Sequence, residues 1–344
     1  MAKSVIFSVA GSGKTTLLVD ALCLERRYLV VTFTENNFAN LRSKILKKFG
    51  YLPINIGLYT YFSFLYSFCY RPILAMRMRT KGLNWNTPPD WTSRLSRTDD
   101  RYYLDQTRKV YKGRLAKLIE SKGALLESVQ RVEKYYDVLC VDEVQDFAGH
   151  DFNFLSSLAS SSLGVLLVGD FYQHTFDTSR DGPTNRTLHD DYQKYRTRFK
   201  KMGVGIDDDT LKKSRRCSPA VCSFIRETIG IAIESHAADN YEVVLVEDAQ
   251  RAEELYLSAT TVKLFYQEHE KYGCYSENWG GSKGDDHYGD VCVVLNQTTL
   301  KAYKEGWLKD LAPTTRNKFY VACSRTRGNL YFVPNKLYKK YKKI

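Results

Sequence analysis

The chain has 344 residues, 43% of them apolar, and carries a formal net charge of +12 at pH 7. Such a length allows for about two domains of roughly 100–200 residues each, and the apolar share fills cores and excludes global disorder. No run of about 18 apolar residues occurs, which excludes a membrane-spanning helix. None of the eight cysteines forms a Cys-x-x-Cys pair, which argues against a structural metal site or a disulfide framework.

Met1 leads almost directly into a strand and a glycine-rich loop, so neither a signal nor a transit peptide is expected, and the chain reads as soluble and intracellular. Cys140 in VLCVDE and Cys292 in DVCVVL sit in apolar runs, as buried thiols of a reducing compartment do. The basic excess favours a polyanionic partner, although solubility or a membrane surface also accounts for net charge.

In chain order, strands are predicted at Val5–Phe7, Tyr28–Phe33, Val138–Val141, Val165–Val168, Val243–Val246, Val291–Leu295 and Leu330–Val333. Continuous apolar runs of this kind suit parallel strands buried on both faces. With helical stretches between them they give an α/β class. Residues 76–130 break the rhythm with basic, helical patterning around a Trp/Pro-rich loop from Trp85 to Trp91. Residues 196–217 are also strongly basic and read as a junction between two α/β halves. The closing run from Lys336 to Lys343 mixes lysine and tyrosine, suiting a solvated tail or a grip on single strands.

The first strand feeds Ser8-Val9-Ala10-Gly11-Ser12-Gly13-Lys14-Thr15, and a helix follows. Gly11 and Gly13 let backbone N–H groups close around phosphate oxygens, and Ala10, Ser12 and Thr16 complete the cradle. Lys14 is expected to reach the β- and γ-phosphates and the Thr15 hydroxyl to ligate Mg²⁺. Ser8 stands where the general phosphate-loop pattern has its first glycine. The strand at Val138 delivers Asp142 and Glu143 at its C-terminal end, where ligands bind in open α/β sheets. Asp142 is expected to hold the metal's water shell and Glu143 to orient the attacking water of an ATP hydrolase. The strand at Val165 ends in Gly169-Asp170-Phe171-Tyr172-Gln173, which places Gln173 to sense the γ-phosphate.

The Asp-Glu-x-Gln-Asp and Gly-Asp-x-x-Gln boxes, in this order, resemble those of UvrD/Rep-like superfamily 1 DNA helicases. The resemblance runs through Val31–Asn37 and Thr60–Phe64, then Leu211–Arg216, Ser282-Lys283-Gly284 and Asn317–Thr326. It implies two RecA-like P-loop domains with parallel sheets and a small helical insertion in the first: 1–205 with the insertion at about 76–130, and 206–344. It further implies ATP between the domains, with Arg216 and Arg325 as γ-phosphate arginines and Gly284 at the nucleotide. Thr32, Phe33, Thr34, Thr60, Phe62 and Ser63 match strand-contacting positions, and Phe176 matches a base-stacking aromatic. Taken singly, Phe33 and Phe62 fit a core better than a stacking platform.

The activity so implied is an ATP-dependent motor, a helicase or translocase running 3′ to 5′ on single-stranded DNA, that couples hydrolysis to domain closure. RNA is kept as an alternative strand. The chain departs from the family in several places, among them Thr178 where a second base-stacking aromatic is expected and an arginine displaced to Arg180. Too little sequence precedes Ser8 for the family's adenine-reading glutamine. Arg215 replaces the adenine-stacking tyrosine, the Thr-x-His before Lys283 is missing, and the accessory segments are reduced. A stripped motor that needs a protein partner to unwind, or an ATP-driven switch on a nuclease or effector, is the competing expectation.

Overall fold

The glycine-rich loop hangs from the first of six strands that line up by backbone pairing alone. The computed structural model describes residues 2–175, 182–239 and 241–343. These gather into two compact units. One holds the described residues of 1–6, 15–169 and 176–207, and the other those of 7–14, 170–175 and 208–344.

The first unit is built on a six-stranded parallel sheet. In chain order its strands are β1 (Lys3–Phe7), β2 (Tyr28–Thr32), β3 (Ile56–Thr60), β6 (Val138–Asp142), β7 (Gly164–Gly169) and β8 (Gly205–Asp207). They lie side by side as β3-β2-β6-β7-β1-β8. Thr32 pairs with Thr60 and Asp142 with Val168, so the strand ends are in step. Phe7, Thr32, Thr60, Asp142 and Gly169 therefore close the five strands β1, β2, β3, β6 and β7 on one edge, where open parallel sheets bind ligands. All five residues of β2 and of β6 are buried, the mark of strands covered on both faces.

Between β3 and β6 lies the insertion. Besides short helices such as Asp100–Tyr103 and Leu115–Ser121 it holds a parallel ribbon of β4 (Gly82–Asn84) and β5 (Lys109–Tyr111). Its core is aromatic and cationic: the Arg114 guanidinium lies 4.1 Å from the Tyr102 ring, and Lys117 is buried beside it.

The second unit opens with a short parallel pair, β9 (Lys213–Ser214) and β10 (Glu234–Ser235). Its main sheet comprises β11 (Val243–Leu245), β12 (Val262–Phe265), β13 (Ser276–Asn278), β14 (Val291–Leu295) and β15 (Leu330–Pro334), all parallel, ordered β11-β15-β14-β12-β13. Successive side chains of a strand point to opposite faces, and β14 shows it. Val291, Val293 and Leu295 join a core with Trp279, Phe319, Tyr320 and Phe332, whereas Cys292 and Val294 join another with Tyr256, Phe265 and Tyr338.

The α/β class and the parallel sheets expected from the apolar runs are what the structure has. All seven predicted strands are present, with ends moved by no more than two residues. Four further strands of the two main sheets, β3, β8, β12 and β13, add to them. All eight cysteines are free thiols, six of them buried.

Candidate functional site

The loop between β1 and the helix Lys14–Asp20 turns through two residues at positive φ, Gly11 at 69° and Gly13 at 95°. At Gly11 sterics add a second demand: a Cβ there would stand 2.7 Å from the Arg216 Cβ. Glycine is required on both counts. The loop is tied to its neighbours by backbone bonds. Val9 N–H donates to Leu211 O at 3.1 Å, and Arg215 N–H to Gly11 O at 2.9 Å. The Ser12 hydroxyl, 4% exposed as a residue, has no hydrogen-bonding partner among the described residues. A buried hydroxyl left so is costly unless a ligand serves it, and a phosphate oxygen in the loop would.

Two elements far apart in sequence meet at the sheet edge. Thr15 Oγ1 lies 3.0 Å from Asp142 Oδ2, across 127 residues. Asp142 is 1% exposed and Glu143 7%. Glu143 takes a left-handed backbone, φ 61° and ψ 47°, which non-glycine residues rarely adopt. That turn lets its N–H donate to Asp142 Oδ1 at 3.0 Å, and the Gln145 amide donates to its carboxylate. Gly169, at the end of β7, leaves room for that glutamine. A Cβ there would lie 2.8 Å from Val144 Cγ1 and closer still to Gln145 Oε1.

Within the second unit, one buried hydroxyl joins the phosphate loop to Gln173. Tyr320, wholly buried in the helix Pro313–Cys323, accepts the Ala10 N–H at 2.9 Å and donates to Asp170 Oδ2 at 2.9 Å. Asp170 also accepts from the Gln173 amide at 2.9 Å and from Tyr172 N–H at 3.1 Å. Arg325 Nη2 approaches Gln173 Oε1 at 3.5 Å. Burial, with Asp170 beside it, pushes the Tyr320 phenol far above its ordinary range, so it stays a neutral donor.

Arg216 and Arg325 converge on Ser324, Arg216 Nη1 donating to its carbonyl at 2.9 Å and Arg325 Nη2 reaching its hydroxyl at 3.4 Å. Arg216 also pairs with Asp286, more than half exposed. Burial first, then the neighbouring Arg325, lowers the Arg216 pKa to about 9. Two buried cations held side by side, one of them against the loop at Gly11, favour an anion beside them. Arg215 is exposed, its Nε about 4.0 Å from where a Gly13 Cβ would stand. Lys14 and Thr15 are half-buried, and Thr16 is exposed with its hydroxyl accepting from Lys44 at 2.6 Å. Gly284, exposed at φ 95°, precedes Asp285, whose carbonyl accepts from Arg325 at 3.3 Å.

On the β2 and β3 side, Thr32 is wholly buried, while Phe33 and Thr34 are half-buried and Ser63 is exposed. The Thr34 hydroxyl oxygen caps the helix Glu35–Phe49 by accepting from Asn37 N–H at 3.1 Å. Thr60, buried, donates to Ser63 Oγ at 2.8 Å, and Phe62, 6% exposed, packs edge to face on Phe33. Phe176, Thr178 and Arg180 lie outside the described residues.

The sequence reading passed over Tyr320 and Gln145. Gln145 stood in the acidic box and signalled itself. Tyr320 did not, because a tyrosine in an apolar helical run reads as core.

The sheets and this edge define a helicase-like P-loop fold of tandem RecA-like domains. The chain is similar in fold to solved arterivirus helicases. It aligns over 97% of its length with an arterivirus nonstructural protein 10 (helicase) solved in complex with DNA, at 15% identity and a TM-score of 0.52. A second structure of an arterivirus nonstructural protein 10 (helicase) aligns over 99% of the chain at 16% identity and a TM-score of 0.50. In each case the chain spans 62% of the other protein's length. No protein-family model matches the chain, and no curated protein does.

Proposed function

We propose that the protein is an ATP-hydrolysing motor of the UvrD/Rep-like superfamily 1 kind, moving 3′ to 5′ on single-stranded DNA. The observation that carries this is the meeting of Thr15 with Asp142, which brings the two halves of a nucleotide–metal site to one sheet edge. The residues present fit both groups. The loop Ala10–Thr16, with its unserved Ser12 hydroxyl, would hold the phosphates, and Arg215 and Gly284 would flank the nucleotide. Thr15 and Asp142 would hold Mg²⁺, which when bound neutralises charge on the phosphate oxygens.

In this reading Glu143 orients the attacking water and accepts its proton. Gln145 holds that carboxylate in place. Lys14, Arg216 and Arg325 stabilise charge that builds on the transferred phosphoryl group. Gln173, held through Asp170 and Tyr320, reports the state of the phosphate loop. On the strand-binding side Phe33, Thr34 and Ser63 present surface to nucleic acid, with Thr32, Thr60 and Phe62 supporting them from beneath. We assign 1–205 and 206–344 as the two motor halves, and a protein partner as the supplier of what the short insertion lacks. No helix among the described residues is long and apolar enough to cross a membrane.

The test is the ATPase rate of wild type and Glu143→Gln with no nucleic acid, single-stranded DNA, duplex DNA or RNA. Stimulation by single-stranded DNA, lost by about 100-fold or more in Glu143→Gln with ATP still bound, is the expected result. Hydrolysis indifferent to every nucleic acid would point to the switch instead, and stimulation by RNA alone would reassign the track.

A further inference from the structure

The insertion's ribbon has a consequence for the surface beside β2 and β3. Asn84 pairs with Tyr111 at the end of β4 and β5, so the residues that follow them, Trp85 and Lys112, leave the ribbon side by side. Asn84 pins the start of the Trp85 loop with both ends of its amide. Its Nδ2 donates to Asp105 at 2.6 Å and its Oδ1 accepts from Asn86 N–H at 2.9 Å. The indole then meets Phe62 edge to face, centroids 6.3 Å apart, and Phe62 meets Phe33 at 5.5 Å. The Lys112 ammonium lies 5.2 Å from the Trp85 centroid and 5.8 Å from that of Phe62. No carboxylate among the described residues pairs with Lys112.

Phe33, Phe62 and Trp85 thus form a row whose inner ring is buried and whose outer ring, Trp85, is 54% exposed. A half-exposed indole packed against Phe62, with a cation over its ring, is held in place, and a base stacks on an exposed aromatic face. The cation next to it suits the phosphate of the same nucleotide. Exposed Arg77, Arg79 and Lys81 precede the ribbon, and exposed Lys109 lies at its other end, opposite Gly82.

We propose that Trp85 and Lys112 form a base-and-phosphate platform for single-stranded nucleic acid, extending the Phe33–Phe62 surface onto the insertion. The platform rests on the motor reading. Binding of a labelled oligothymidine, followed by fluorescence anisotropy without nucleotide, tests it on the whole chain. Trp85→Ala weakens binding roughly ten- to hundredfold, and Trp85→Phe loses much less. Lys112→Gln lowers the slope of log affinity against log salt by about 0.7. On an abasic strand of the same length, wild type and Trp85→Ala bind alike, and the two proteins melt together.

Unchanged affinity of Trp85→Ala for the oligothymidine overturns the platform and leaves the motor reading intact. An equal loss on the abasic strand overturns the stacking role. Absence of any single-strand binding by wild type overturns the motor reading and the platform together.

Discussion

Replacing Tyr320 with phenylalanine removes a single oxygen, and the structure says what that oxygen does. The ring remains, with Tyr172 still 6.3 Å away, so no cavity opens. What is lost is the partner of the Ala10 N–H and one of the donors to the Asp170 carboxylate, all among groups at most 1% exposed. Each group left short of a partner costs about 1–3 kcal/mol, so the variant is expected to lose roughly 2–5 kcal/mol at this junction. Only about 1.4 kcal/mol of that need fall on the positioning of Gln173 to lower kcat tenfold. The expected result is a kcat reduced tenfold or more, a KM for ATP little changed, and faster hydrogen exchange at the Ala10 amide. Tyr338→Phe is the matched control, since its hydroxyl, 3.0 Å from Ala252 O, belongs to the core on the other face of the same sheet. It should lose stability and keep kcat. If Tyr320→Phe keeps both the wild-type kcat and the wild-type exchange at Ala10, the junction is idle and the reasoning fails.

Three further outcomes are expected. Gly11→Ala forces a Cβ to 2.7 Å from Arg216 at a positive φ, so ATP binding by calorimetry should fall below detection, with loss of stability. Gly169→Ala displaces Gln145 from beneath Glu143, and hydrolysis should drop about tenfold while ATP affinity holds within about threefold. Thr15→Val keeps the shape of the side chain but removes the hydroxyl that meets Asp142. The Mg²⁺ concentration for half-maximal ATPase should then rise about tenfold or more, measured by metal titration.

Much of the fold was legible because buried parallel strands are written as unbroken apolar runs, as in YLVVT of β2 and VCVVL of β14. Two of the strands that escaped carry a residue that disguises them. In β3, IGLYT, Gly57 looks like a turn, yet a Cβ there would lie 2.9 Å from the Tyr136 ring. In β12, VKLF, a lysine interrupts the run, but Lys263 is wholly buried and its ammonium donates to Ser258 O at 2.6 Å. Sequence could not show that bond, because it depends on where the preceding loop folds. The candidate site was legible where chemistry dictates residue type: Gly11, Gly13, Lys14, Asp142, Glu143. It was illegible where placement depends on pairing between distant segments. Tyr320 gains its role from a loop some 310 residues earlier, and Trp85 gains its neighbour Lys112 from a ribbon register.

Under the proposed function, the left-handed turn at Glu143 sets a conflict between folding and chemistry. Glycine and asparagine adopt that backbone readily, and a glutamate held there costs on the order of 1 kcal/mol. A library varied at position 143 and ranked by thermal resistance should therefore be enriched in chains that fold better and hydrolyse nothing. If Glu143 carries the hydrolysis proposed for it, position 143 is a place where robustness and turnover must be selected separately.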